Sequence, residues 1–66
     1  MFIRIEENLI NINEIRNAYI CNLGYGKGTV HINFKSDHEP IAFSTRRLDE
    51  CEIILNTLTE ACLKKN

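Results

Sequence analysis

Cys21 and His31 are the first residues in this 66-residue chain to invite a chemical reading. Each lies in a run of alternating apolar and polar side chains. If Leu23 faces Thr29 across the glycine-rich stretch between them, thiol and imidazole stand opposite each other on the solvent side of a hairpin. Structural zinc takes roughly four such ligands, so the two are half a site and read as a weakly polar cross-strand contact. His38 falls in the turn Ser36-Asp37-His38-Glu39-Pro40, where Asp37 and Glu39 are turn residues before they are ligands. No metal is expected.

A nucleophilic cysteine needs a base and a positive environment. Cys51 and Cys62 instead recur among leucines at helical spacing, where a thiol acts as a small hydrophobe. Glu6, Glu7, Asp49, Glu50 and Glu52 sit in turns or on polar helix faces as solubilising charge. The segment Gly24-Tyr25-Gly26-Lys27-Gly28 suggests a phosphate cradle, but such loops open a helix. This one joins two strands, and its glycines serve a hairpin reversal. The sequence therefore predicts no catalytic residue, no cofactor and no enzymatic activity.

Two sets of surface residues remain. Arg16, Tyr19, Lys27 and Lys35 lie on or near the outer face of the expected sheet, with Tyr25 at a loop tip where it can stack on a base. Arg46 and Arg47, at the expected start of a helix, oppose its dipole. Together the seven are candidate nucleic-acid contacts. Tyr19, Cys21 and Leu23 form a partly apolar outer row, and Ile53 lies opposite the apolar stripe of the helix, so these four are candidate interface residues.

The elements that position these residues follow from periodicity. Phe2 to Ile5 reads as a first strand, and Leu9, Ile10 and Ile12 as a second, ended by a turn at Asn13-Glu14. Residues 16–23 and 29–35 alternate as strands three and four, with Val30, Ile32 and Phe34 on one face. A fifth begins at Pro40, which cannot donate a ladder hydrogen bond and so marks a sheet edge. Placing Ile20 opposite Ile32, and Ile32 opposite Phe43, satisfies both hairpins at once. Residues 46–64 change to helical spacing through Leu48, Cys51, Leu55, Leu58 and Cys62. Lys64 and Lys65 suit the negative pole of that helix. Ser44, Thr45, or Asp49 with Glu52 are its candidate caps. The fold class is α+β: one domain over residues 1–66, an antiparallel β-meander of four to five strands packed through the Leu55 side of one C-terminal amphipathic helix.

The formal net charge of -1 argues against general electrostatic affinity for nucleic acid. Three cysteines, an odd number, read as reduced thiols in a cytoplasmic protein. Neither a secretory leader nor a membrane span is expected. A chain of this length buries only about 60% of its unfolded surface, and association would add burial that the monomer lacks.

At Leu9-Ile10-Asn11-Ile12-Asn13-Glu14-Ile15-Arg16, followed by an alternating hairpin and a terminal helix, the chain resembles small uncharacterised bacterial proteins of similar size. In element order it is more loosely similar to LytTR-type DNA-binding domains and to the single-stranded DNA-binding coactivator fold, in which a helix pairs two subunits. That resemblance implies strands preceding a helix and pairing of subunits, and it carries no functional residue across. The functional expectation is a non-enzymatic interaction module, a homodimer that binds another protein. The alternative is weak binding of single-stranded nucleic acid by a regulatory protein.

Overall fold

The computed structural model describes residues 1–64. β1 (Phe2–Ile5) and β2 (Asn8–Asn11) form an antiparallel hairpin. A 3-10 turn, Ile12–Glu14, leads into β3 (Ile15–Gly24), β4 (Lys27–Phe34) and β5 (Ile41–Arg47), and α1 (Leu48–Lys64) closes the fold. The architecture is α+β, as the periodicity predicts, with the five strands divided between a two-stranded sheet and a three-stranded sheet of order β3-β4-β5. The division falls at the 3-10 turn. There the Asn11 side chain accepts a hydrogen bond from the Asn13 amide at 3.1 Å, while fully buried Ile12 donates its own amide to the Met1 carbonyl at 2.9 Å.

The core unites both sheets and the helix. Val30, Ile32 and Phe43 from the larger sheet, Ile5 and Ile10 from the hairpin, and Cys51, Ile54, Leu58 and Ala61 from α1 are all buried in one cluster. The stripe that α1 buries is thus centred on Ile54, Leu58 and Ala61, whereas Leu55 and Cys62 lie half-buried on its flank. Spacing alone puts Leu55 at the centre. Ile15, Ala18, Ile20, Phe34 and Ile41 pack against the cluster from its margin.

Both hairpin registers differ from expectation by two residues. Ile20 pairs with Val30 and Ala18 with Ile32; on the other side of β4, Ile32 pairs with Ile41 and Val30 with Phe43. The first difference has its cause in the turn. Tyr25 and Gly26 both have positive φ, 54° and 73°, as a two-residue type I′ connection requires, so Gly28 enters β4 instead of the loop. In the second hairpin Phe34 ends β4 without facing Ile41, and residues 35–40 make a longer connection. A shift of two keeps every side chain on its face, which is why the inside and outside of the sheet were assigned correctly.

The start of the helix also differs. Residues 44–47, expected as caps and first turn, extend β5, and Arg46 and Arg47 pair with Gly28 and Lys27 across the sheet. The reason is an irregularity at Thr45, whose φ of 57° breaks the alternation. Helix initiation rests on Glu50, not on Asp49 with Glu52: its carboxylate accepts the Arg47 amide at 3.3 Å, and the Leu48 amide donates to the Gly26 carbonyl at 3.0 Å. The two arginines therefore precede the helix, while Asp49 and Glu50 in its first turn suit the dipole. Lys64 ends α1 as expected, and Lys65 lies outside the described residues.

Candidate interaction surfaces

Because α1 packs against the inner side of the larger sheet, the odd-numbered residues of β3 beyond the irregularity at Ile15–Asn17 point the other way, and Asn17, Tyr19, Cys21 and Leu23 are exposed in a row. Tyr19, and not Cys21, stands opposite His31; the two rings stack with centroids 5.0 Å apart and planes 17° from parallel. Cys21 pairs with Thr29, so the expected thiol–imidazole contact does not form. One pair further along, the Asn33 side-chain amide donates to Asn17 Oδ1 at 2.8 Å. Among the described residues no three His, Cys, Asp or Glu side chains converge at metal-binding spacing. No helix among them is long and apolar enough to cross a membrane.

The seven basic and aromatic candidates separate into three groups. Arg16 and Lys35 meet at one end of the sheet, where the Arg16 guanidinium donates to the Lys35 carbonyl at 3.1 Å. Lys27 and fully exposed Tyr25 lie at the opposite end, in and beside the β3–β4 turn. Arg46 and Arg47 are engaged with carboxylates. Arg46 grips Glu6 of the β1–β2 turn by two hydrogen bonds, at 2.7 and 3.0 Å, and Arg47 lies 3.2 Å from Asp49 and 3.4 Å from Glu50. Ile53 is 65% exposed on α1, away from the Tyr19, Cys21 and Leu23 row.

The Glu6–Arg46 clamp ties the hairpin to the end of β5 and has a pH signature. The hydrogen bond from Arg46 holds the Glu6 carboxyl below its ordinary value of 4.5, and the arginine is raised in turn. A group whose pKa falls on folding stabilises the fold above its unfolded value and loses that contribution as pH drops through the folded one. Glu6→Gln is thus expected to lower the urea midpoint slightly at pH 7 and by less at pH 3, because acid returns the proton to the wild-type carboxyl and removes its contribution. Urea titrations of both proteins at the two pH values check this.

Two grooves, apolar at the floor with polar residues among their lining, flank the core. One, of about 430 Å³, lies between the hairpin and the β4–β5 connection and is lined by Phe2, Leu9, Ile10, Phe34 and Ile41, with His38 edge-on to Phe34. The other, of about 290 Å³, runs along the free edge of β3 beside α1, where Arg16, Asn17 and Thr59 interrupt an apolar lining of Ile15, Ala18, Leu55, Leu58, Cys62 and Leu63. Sequence reading missed this second groove because it arises between elements; its one signal was the half-apolar flank of Leu55, Thr59 and Cys62.

Fold and surfaces together define a small α+β domain with one sheet face and one long sheet edge uncovered by the described residues. Comparison with protein families, with curated proteins and with solved structures gives no match.

Proposed function

We propose that the protein is a non-enzymatic interaction module that works as a homodimer, joined along β3 into one continuous sheet, and binds another protein. The observation that carries this reading is the edge of the ten-residue strand β3 lying beside a largely apolar groove. An edge strand offers a row of unpaired N–H and C=O groups, which proteins guard with lysine, proline or short strands. β3 is the longest strand and contains neither Lys nor Pro; register shifts near its two ends, at Ile15–Asn17 and Asn22–Gly24, leave the stretch from Asn17 to Asn22 as the regular edge.

Antiparallel pairing of β3 with its own copy is self-complementary about a two-fold axis. With Ile20 on the axis, Tyr19 of each copy meets Cys21 of the other on the outer face. On the inner side the two helices approach along Leu55, Thr59 and Cys62, closing the groove and supplying burial that a chain of this size lacks. The partner protein is assigned to the larger groove, whose rim residues Phe2 and Leu9 are 60% and 69% exposed.

Thr59→Lys tests the dimer. Thr59 is exposed, and lysine is the better helix former, so the monomer fold is kept. Two like charges near the axis should weaken self-association by about tenfold or more, whereas Thr57→Lys, on the opposite side of α1, should leave it unchanged. Equal dissociation constants for the two variants in sedimentation equilibrium would exclude this interface.

A further inference from the structure

None of the nine Asp and Glu residues falls in β3, β4 or β5. Glu6 and Glu7 are in the hairpin turn, Glu14 in the 3-10 turn, Asp37 and Glu39 in the β4–β5 connection, and Asp49, Glu50, Glu52 and Glu60 on α1. The chain's net charge of -1 therefore conceals a segregation. The strands of the uncovered sheet face carry no carboxylate, and cations stand at both ends, Arg16 and Lys35 at one and Lys27 at the other; Asp49 and Glu50, near the Lys27 end, are engaged by Arg47, the cross-strand neighbour of Lys27. None of Arg16, Lys27 and Lys35 makes an ion pair among the described residues.

The middle of that face is built for planar ligands. The Tyr19–His31 stack, 49% exposed at the tyrosine, is flanked by Ala42 opposite His31, too small to cover the ring. The Asn17–Asn33 amides beside it offer donors and acceptors. Tyr25 adds a second aromatic at the tip, in a conformation (φ 54°) that favours Asn or Gly and with no burial in return. A residue that runs against local preference and is fully exposed points to binding rather than to folding.

We propose that this face binds single-stranded nucleic acid, the bases stacking on Tyr19 with His31 and on Tyr25, and the phosphates running between Lys27 and the Arg16–Lys35 end. The eight steps of chain from Lys27 to Lys35 span about 26 Å at ~3.3 Å per residue, enough for a site of about four nucleotides. Of the residues invoked, Arg16 and Asn17 also line the groove that the proposed dimer closes, whereas the stacking rings, Lys27 and Lys35 lie outside it, so the binding does not require the dimer.

Fluorescence anisotropy with labelled oligo-dT and oligo-U tests the proposal at a series of salt concentrations. Binding to either should weaken with salt at a log–log slope near -2, from three cations at about 0.7 each. Tyr19→Ala should weaken it about five- to 150-fold, the range for loss of one stacked base. Tyr25→Asn should also weaken it while raising the thermal midpoint, a combination that a merely structural tyrosine would not produce. The Thr59→Lys variant should bind as the wild type does, separating failure of this site from failure of the dimer. The proposal is overturned if neither oligonucleotide binds at low salt, if Tyr19→Ala and Tyr25→Asn bind as tightly as wild type, or if polyglutamate competes as well as unlabelled oligonucleotide.

Discussion

Ile32→Ala is expected to leave the chain largely unfolded. Ile32 is wholly buried at the middle of β4, between Ala18 on β3 and Ile41 on β5. Truncating such a side chain costs about 2–5 kcal/mol, because the lost transfer energy is joined by a cavity that rigid neighbours cannot fill. A core in a chain below roughly 70–80 residues rarely supplies more than about 3–5 kcal/mol in total, so one substitution removes most of it. Far-UV circular dichroism with urea titration should show little or no cooperative transition. Ile53→Ala removes the same atoms from a side chain 65% exposed and should leave the transition nearly where it was.

Gly28→Val is expected to be nearly as damaging for the opposite reason. Gly28 is buried in β4 beneath the start of α1, and a Cβ there would lie 2.9 Å from Leu48 Cδ2, 3.1 Å from the Cys21 carbonyl oxygen and 3.4 Å from Cys51 Sγ. The leucine tip can turn aside, but the Cys21 carbonyl is backbone and cannot yield without disturbing the β3–β4 ladder. Overpacking of this kind costs about 1–3 kcal/mol, and the branched valine adds atoms beyond the Cβ. The urea midpoint should fall steeply for Gly28→Val and less for Gly28→Ala. By contrast Gly24 and Gly26 have no atom near a would-be Cβ, and their role is the positive φ of the turn.

Gly28 also marks how much of the fold was legible in the sequence. All three glycines were assigned to a hairpin reversal; two make it, and the third is a close contact between sheet and helix that only the packing reveals. Alternation in β4 and helical spacing in α1 are strong local signals, and they gave the fold class and the inner and outer faces. Register was less legible, since displacement by two residues preserves every face and leaves the pattern unchanged. That degeneracy concealed the Tyr19–His31 stack and suggested a Cys21–His31 contact in its place. Ser44 and Thr45 resemble helix caps, so without the irregularity at Thr45 in view, Arg46 and Arg47 looked like cations misplaced on a helix dipole.

The surfaces were legible as lists of residues and not as arrangements. Glu6 and Arg46 are 40 positions apart, and no local pattern links them. Their clamp withdraws Arg46 from the candidate binding set, as Asp49 and Glu50 do for Arg47. The segregation of carboxylates away from β3, β4 and β5 was present in the sequence but had meaning only once strand limits were fixed. Similarly, the row of Tyr19, Cys21 and Leu23 was assigned to an outer face, while its place on a free edge beside the Leu55, Thr59 and Cys62 flank depends on the strand order.

Sedimentation equilibrium of the unmodified chain is the most direct test of the proposed mode of action. The free central edge of β3 predicts a species of twice the 7.7 kDa chain mass at micromolar concentration, dissociating on dilution. A single 7.7 kDa species at every concentration up to the solubility limit would contradict it.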